Sequence, residues 1–374
     1  MTVIIFIIVL AVLIFVHELG HFLAAKLFGI RVDAFKLGFG PKIFTWKRGE
    51  TEYGVNWLPF GGYVKIFGEN PDEQSLDAAG PESSRSFVLK SRWKQALVLV
   101  AGVLFNFIFA WLLYVAVFTT GVTASTTGFE QYSSHFTDPR IMVTYILPGS
   151  PADKAGLQAG DVLTAVGSTS AKLASTLNGD SVITSVQNTI NDNAGKPIAI
   201  DYTRGTESRA IEVTPINSIV PNKYAIGISM DNTVDLKLPF LTSIGEGFRY
   251  TLILIKETVA GLYGFIANIF VGHPDFADVA GPVGIAGIVG NAAQLGFKYL
   301  VMVTAIISIN LGVINLIPFP ALDGGRILFV AVEGIFRRRI PAKFSNAVNM
   351  VGFALLMVLM VAVTWKDIAK LVTG

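Results

Sequence analysis

The stretch TVIIFIIVLAVLIFVHELGHFLAAKL, residues 2–27, decides the fold of this chain. It is apolar from residue 2 to residue 16, and its helical pattern continues through His17, Glu18 and His21. A segment of this length can cross a bilayer as a single helix. A signal peptide is the alternative interpretation. It is disfavoured because no basic residue precedes the apolar run and because a signal sequence should not carry His, Glu and His in its apolar region.

The three polar residues of this helix form the pattern His-Glu-x-x-His. Positions i and i+4 share one face of a helix, so the imidazoles of His17 and His21 can reach one metal ion, and Glu18 then lies beside the metal, where it can accept a proton from water. In a soluble helix the pattern has many false positives. Within an apolar span, however, a charged side chain costs about 2.5–3.5 kcal/mol, and a metal would compensate the group. The alternative is a polar cluster in water at the membrane edge.

The composition limits the class of protein. The chain has 374 residues, of which 52% are hydrophobic and 15% charged, and its mean hydropathy is +0.57. Soluble domains average about 25% charged residues, so the composition favours a membrane protein. The net charge of +2 gives no reason to expect a nucleic-acid partner. The chain has no cysteine and four histidines, so a metal must be held by His and carboxylate side chains.

Three further apolar segments are long enough to cross a bilayer. They are residues 93–119, 299–317 and 347–364. Lys and Arg are concentrated in segments 25–94 and 337–343, and the positive-inside rule places both in the cytoplasm. We therefore expect a polytopic α-helical membrane protein with four transmembrane helices and with residues 120–240 on the outer side. An amphipathic helix at 241–270 either lies in the membrane interface or packs on the core.

Two regions have β-strand patterns. Residues 31–66 alternate apolar and polar side chains around a turn at residues 48–50, and Gly61 and Gly62 permit close backbone approach. Residues 141–230 form a separate soluble α+β domain with a hairpin around Gly205 and a closing strand at 223–229. The predicted domains are a first half of the membrane core, a soluble insert and a second half of the core. Their limits are 1–120, 121–238 and 239–374.

A third metal ligand is expected because a catalytic zinc usually takes three protein ligands and leaves one position open. Asp323 is the only acidic residue between Asp278 and Glu333, and it follows prolines that end the third apolar span. The alternative is that Asp323 caps the next helix, and both roles can coexist. His135 and His273 are weaker candidates because they lie in outer or loop segments.

Several motifs in this order resemble the bacterial site-2 proteases, of the regulator-of-sigma-E protease type. They are HELGHFLAAKLFGIRVDAFKLGFGP, PFGGYVKI, PGSPADKAGLQAGD, GPVGI and NLIPFPALDGGR. The resemblance covers nearly the whole chain. It implies an intramembrane zinc metalloprotease of the bacterial inner membrane that cuts transmembrane segments of single-pass proteins. It also implies Zn²⁺ ligands at His17, His21 and Asp323, a catalytic base at Glu18 and a substrate contact at Asn315.

The same resemblance implies how substrates reach the site. The substrate is expected to be an anti-sigma-factor-like protein already cut by another protease. The β region, with Gly61 and Gly62, is expected to form a membrane-associated sheet beside the active site. The insert resembles an extracytoplasmic PDZ domain whose peptide-binding loop falls at Ile226 and Gly227. The chain departs from better-known members in having one such domain where some have two, and in a polar insert at 168–182.

The rival hypothesis is a non-enzymatic membrane-anchored PDZ or metal-binding protein. It explains the spans and the insert. It does not explain why Glu18 and Asp323 should be buried with two histidines. Geometry separates the two hypotheses: the protease requires two His nitrogens and an Asp323 oxygen to converge on one point about 2.0–2.2 Å from each.

Overall fold

Nine helices and eleven strands lie in the part of the chain that the structure, a computed structural model, describes: residues 1–69, 80–167, 169–170, 179–220, 223–271 and 280–373. The helices are α1 (Thr2–Leu27), α2 (Arg92–Thr120), α3 (Pro151–Lys154), α4 (Gly179–Asp192), α5 (Phe240–Phe270), α6 (Pro282–Leu295), α7 (Phe297–Asn315), α8 (Asp323–Phe336) and α9 (Ala342–Thr373). The strands are β1 (Val32–Arg48), β2 (Thr51–Ile66), β3 (Val122–Ser125), β4 (Phe136–Ile146), β5 (Val162–Val166), β6 (Thr169–Ser170), β7 (Ile198–Arg204), β8 (Glu207–Val213), β9 (Ile216–Val220), β10 (Lys223–Ala225) and β11 (Ile228–Leu236).

These elements form two compact units. Residues Met1–Val115 and Ile244–Leu371 make the first unit, and Ala116–Ser243 make most of the second. The second unit is thus inserted in sequence between two parts of the first. The polar segment predicted at 168–182 lies largely outside the described residues.

Five helices within the described ranges are long and apolar enough to cross a membrane. Four of them, α1, α2, α7 and α9, match the predicted spans, which makes the chain a multi-pass membrane protein. The fifth candidate is α5, which has the lowest mean hydropathy of the five, 1.5. The predicted count of four spans is therefore not confirmed by length and composition alone.

Helix α5 covers the segment predicted to be an amphipathic helix. Its most apolar stretch has no residue buried inside the protein. Two hydrogen bonds connect it to the other helices of its unit: Trp111 of α2 donates to the carbonyl of Ile244 at 2.9 Å, and Thr258 donates to the side chain of Asn310 of α7 at 2.9 Å. Most of its surface is thus available to lipid, while one side is fixed to α2 and α7.

Helices α1 and α2 pack closely and run antiparallel. A Cβ built on Gly20 would lie 2.3 Å from the backbone oxygen of Ala101, so the two backbones are in direct contact there. His21 of α1 contacts Val98 of α2, and His17 contacts Asn106, so residue numbers rise along α1 as they fall along α2. Near the start of α1, Val9 and Leu13 pack against Val289 of α6 in a buried apolar cluster. The polar residues of α1 therefore face the interior of the helix bundle.

Strands β1 and β2 form one long antiparallel hairpin with its turn at Gly49 and Glu50, as the sequence predicts. Each strand bends, so that the first part of β1 pairs with both ends of β2. The bends fall near Gly38, Gly40 and Gly61, which all have positive φ, a conformation that glycine adopts without strain. The result is a small sheet of four arms. Their order is 62–66, 32–37, 51–55, 44–48.

A partly exposed charge cluster holds two of these arms together. The ammonium groups of Lys36 and Lys42 donate to one oxygen of Glu52, at 2.7 and 2.8 Å. These hydrogen bonds lower the pKa of Glu52 to about 2, and the bond from Lys36 has the larger effect. The carboxylate is therefore ionised at neutral pH and links β1 to β2.

The second unit contains a seven-stranded sheet with antiparallel pairing and the order β3-β11-β4-β5-β7-β8, with β6 beside β5. Helix α4 buries Val186 and Ile190 against this sheet. The predicted hairpin around Gly205 is confirmed as the β7–β8 pair. The single closing strand predicted at 223–229 is wrong. The extended conformation is interrupted between β10 and β11 because Gly227 has φ +84°.

Candidate active site

Two histidines on α1 and an aspartate at the start of α8 meet inside the first unit. Nε2 of His17 and Nε2 of His21 are 3.2 Å apart, and Oδ2 of Asp323 lies 3.0 and 3.3 Å from them. Both histidines are buried. Across the described residues this is the one group of three or more such side chains whose ligand atoms converge. The chain thus brings together the three residues that the sequence singled out as metal ligands.

The donor set fits zinc. Ligands about 2.0–2.2 Å from a tetrahedral zinc ion lie roughly 3.3–3.6 Å from each other. The three separations here, 3.2, 3.0 and 3.3 Å, are at or slightly below this range. The Oδ2 atom of Asp323 is buried and has no hydrogen bond of acceptable geometry within the described ranges. A buried carboxylate oxygen left in this way is costly without a cation, so the site is suited to hold one.

Asp323 reaches the histidines because the chain folds back tightly before α8. A Cβ on Gly324 would lie 2.2 Å from the oxygen of Ile317, and a Cβ on Gly325 would lie 2.3 Å from the oxygen of Phe319. Only glycine fits these two positions. Helix α8 begins at Asp323 with Leu322 as its N-cap residue, and no side chain caps it. The alternative role of Asp323 as N-cap is therefore not what the structure has.

His21 is held by α2, which the sequence analysis did not connect to the site. Its Nδ1 lies 2.8 Å from the backbone oxygen of Val98. A carbonyl can only accept, so Nδ1 carries the proton and Nε2 presents a lone pair to the ligand group. The second nitrogen of a metal-binding histidine is commonly fixed in this way.

Gly102 and Asn106 of α2 also border the two histidines. A Cβ on Gly102 would lie 2.3 Å from Nε2 of His21, and Nδ2 of Asn106 lies 3.1 Å from Nδ1 of His17. Sequence reasoning missed both residues. The available signal was a glycine and an asparagine four residues apart within an apolar span, a spacing that puts both on the face of α2 that packs on α1.

Glu18 lies between the histidines in sequence, close to the β2 strand. A Cβ on Gly62 would lie 3.4 Å from Cγ of Glu18 and 2.9 Å from Cγ2 of Ile14. Gly62 thus lets β2 cross α1 beside the ligand group. Glu69 is another carboxylate within electrostatic range of Glu18, but it forms an ion pair with Arg326 at 2.5 Å. Among the described residues, Glu18 has no such ion-pair partner.

The remaining predicted site residues occupy different surroundings. Asn315 is the last residue of α7 and is partly buried. Gly61, with φ +119°, contacts the ring of Phe39. Ile226 and Gly227 belong to the second unit, where the side chain of Ile226 is buried and both backbone oxygens accept hydrogen bonds, from Ala152 and Leu147 respectively.

Of the two weaker histidine candidates, His135 does not join the site in the described part of the chain. His135 ends a short 3₁₀ segment at Glu130–His135 and contacts Ser134 and Tyr132. His273 lies outside the described residues.

Comparison with known proteins identifies the family. The model of peptidase family M50 matches residues 5–359. A relative from Clostridium perfringens, CPE1693, which carries a zinc metalloprotease name, is 36% identical over 359 residues, covering 95% of each chain. The zinc metalloprotease RasP of Geobacillus kaustophilus is 29% identical, covering 98% of this chain and 97% of that protein. RasP of Shouchella clausii is 30% identical, covering 99% of both.

The chain belongs to peptidase family M50, the site-2 protease family. It is a zinc metalloprotease with several helices able to span a membrane. The rival hypothesis of a non-enzymatic anchor does not account for this membership.

Proposed function

We propose that this zinc metalloprotease hydrolyses peptide bonds within the transmembrane segments of single-pass membrane proteins. The observation that carries the proposal is the position of the ligand group. His17 and His21 are buried in α1, whose mean hydropathy of 2.8 is the highest among the candidate spans of the described residues. Chemistry at this depth acts on chains that enter the bilayer.

The catalytic roles follow from the surroundings of each side chain. His17, His21 and Asp323 would hold the metal. Zinc in such a site acts as a Lewis acid, polarising a carbonyl and making water acidic enough to lose a proton near neutral pH. Glu18 takes up that proton and passes it to the leaving amine. Asn315 donates a hydrogen bond to the substrate backbone or to the developing oxyanion.

A helical substrate must unwind before attack, because its amides are engaged in i→i−4 hydrogen bonds. The 62–66 arm supports a role for the β region here: it lies at an edge of the small sheet, and Gly62 is in contact with α1 beside Glu18. An extended segment can add to such an edge through main-chain hydrogen bonds. Gly61 and Gly62 would take part through their backbone, because the space beside them is already filled by Phe39 and by Ile14.

Exposed apolar side chains support membrane association of this hairpin. Phe44, Trp46 and Trp57 are 62%, 48% and 68% exposed. Large exposed aromatic residues are unusual on a water-facing surface and are typical of membrane interfaces. We place the hairpin in the cytoplasmic half of the bacterial inner membrane.

The second unit is proposed to act as an extracytoplasmic PDZ-like domain that selects substrates. Its loop at Ile226 and Gly227 would bind a chain terminus created by an earlier protease. The proposed substrate is therefore a pre-cleaved, anti-sigma-factor-like protein with one span. The break that Gly227 makes between β10 and β11 supports a loop at this position.

Packing within the first unit supports a topology with four crossings. Gly290 of α6 is in close contact with Thr2, at the start of α1, and Gly284 of α6 donates to Asp367 near the end of α9. Asp323, by contrast, lies beside the second half of α1. Helix α7 therefore starts at the end of the bundle where α1 starts and α2 ends, so the stretch between α2 and α7, which includes α5, makes no net crossing. The basic segments 25–94 and 337–343 then both lie at the opposite end of the bundle, on the cytoplasmic side.

The natural absence of cysteine offers a direct test of topology. We expect the variants Asn193→Cys and Phe297→Cys to react with an impermeant maleimide added outside spheroplasts, and Arg338→Cys to react only after lysis. The unchanged chain is the control. Labelling of Asn193→Cys but not Phe297→Cys from outside would mean that α5 crosses the membrane.

The substrate class is tested in cells. In a strain whose protein carries Glu18→Gln, single-pass membrane proteins already shortened by an outer cut should accumulate, because the second cut is lost. Quantitative mass spectrometry of membranes would compare this strain with wild type and with Glu257→Gln, a matched change of an exposed carboxylate in α5. Accumulation of only multi-pass or soluble proteins would contradict the proposed substrate class.

A further inference from the structure

Asn106 is a fully buried amide within an apolar span, with 0% of its surface exposed. A buried polar side chain in a transmembrane helix is costly and is commonly functional. Its surroundings hold it firmly. The hydroxyl of Ser308 of α7 donates to the backbone oxygen of Asn106 at 2.8 Å, and its side-chain amide lies 3.1 Å from Nδ1 of His17.

The ligand group dictates which nitrogen of His17 carries the proton. Nε2 of His17 lies 3.0 Å from Oδ2 of Asp323 and 3.2 Å from Nε2 of His21, so Nε2 is the nitrogen that faces the metal position. A metal-binding nitrogen must present a lone pair. In neutral imidazole the proton then lies on Nδ1, which needs an acceptor.

The amide of Asn106 is the group beside Nδ1, and it has an acceptor to offer. Its Oδ1 has no hydrogen-bond partner in the described part of the chain. A half-turn of the amide exchanges Oδ1 and Nδ2 without changing the packing, and the hydrogen-bond network decides between the two orientations. With Nδ2 toward His17, the amide would donate to Nδ1 and force the proton onto Nε2. With Oδ1 toward His17, Nε2 is free to bind metal.

We infer that Asn106 is a positioning residue that accepts a hydrogen bond from Nδ1 of His17 and so fixes that ring for zinc binding. This inference rests on the proposed ligand set. It gives His17 the counterpart of the contact that the Val98 carbonyl makes with His21. The two acceptors, both on α2, fix the two rings in the same tautomer. Because both acceptors are neutral, they do so without adding a charge to the apolar interior.

The test measures zinc affinity of the purified full chain by competition with a chromophoric chelator. Asn106→Leu keeps the volume but removes the acceptor, and it should weaken zinc binding about 10–100-fold, as loss of an outer-shell partner typically does. Asn106→Asp keeps an acceptor and should bind zinc within about threefold of wild type or more tightly. Asn310→Leu is the matched control, since Asn310 pairs with Thr258 and not with a ligand. It should leave zinc affinity unchanged.

Contrary outcomes are distinct. Wild-type zinc affinity in Asn106→Leu, with zinc lost in His17→Ala, would overturn the role of Asn106 alone. Unchanged affinity in His17→Ala would overturn the ligand set as well. Equal losses in Asn106→Leu and Asn106→Asp would show that Asn106 acts as a donor, since neither variant can donate.

A measurement on the unchanged chain keeps the inference testable if a variant does not fold. Zinc-loaded protein labelled with ¹⁵N-histidine should show two of its four rings with a protonated Nδ1 and a metal-bound Nε2. A metal-bound Nδ1 in either ring would contradict the inference.

Discussion

Replacement of Glu18 by Gln is expected to reduce cleavage of a single-pass substrate by about 10²–10⁴-fold while zinc stays bound, because the change removes general-base catalysis and leaves the three ligands intact. Gln has the size of Glu but cannot take up the proton. Glu69 cannot readily replace it, since Glu69 is ion-paired with Arg326. The measurement is the cleavage rate of a purified substrate in detergent, together with zinc content by atomic spectroscopy.

Two controls make this result specific. Glu257→Gln changes an exposed carboxylate of α5 and should cleave at the wild-type rate. Asp323→Asn alters a proposed ligand and should reduce both zinc content and cleavage. If Glu18→Gln cuts the substrate at a near-normal rate, Glu18 is not the base, and if Glu18→Gln protein lacks zinc, its loss of activity says nothing about proton transfer.

The part of the site on α1 could be predicted because its spacing is local. His17 and His21 share a helix face by geometry alone, and the apolar run around them fixes the helix. Asp323 is distant in sequence from the histidines. It could still be predicted as the third ligand because it is the only acidic residue near the end of the third apolar span, directly after the prolines that end that span. The structure adds why it reaches the histidines: the glycines after it let two turns of backbone touch.

The contributions of α2 could not be predicted in the same way. Gly102 and Asn106 have no signature of their own, and their role depends on which face of α2 meets α1. That orientation follows from tertiary packing, notably the backbone contact at Gly20. The prediction for α5 was limited by a related problem. Hydropathy describes a helix on its own, whereas the number of crossings depends on where the neighbouring α6 packs.

In the second unit the error at residues 223–229 has a physical reason. The segment KYAIGIS has the composition of a strand, with Tyr224, Ile226 and Ile228 alternating. The carbonyl oxygens of Ile226 and Gly227 are instead used by Ala152 and Leu147. Hydrogen bonds to a distant segment thus override the local strand preference, which single-sequence patterns do not record.

Gly102→Ala is expected to lower zinc content from about one ion per chain to near zero, although alanine is a better helix former than glycine. The added methyl group would lie 2.3 Å from Nε2 of His21 and 2.9 Å from Cε1 of His17. Real Cβ contacts are not this short, so the rings must move. His21 is held by Val98, and α2 cannot approach from another angle because its backbone already contacts Gly20.

The matched control for this change is Gly264→Ala in α5, where an added Cβ meets no atom within 4 Å in the described residues. It should keep zinc and should be at least as stable as wild type. The measurement is zinc content beside thermal unfolding of the zinc-free proteins. Gly102→Ala should be moderately less stable there, because the added methyl group clashes with buried rings that Val98 and Asn106 hold even without metal. Full zinc content in Gly102→Ala would show that α2 does not lie against the two histidines, and Asn106 could then not fix the tautomer of His17.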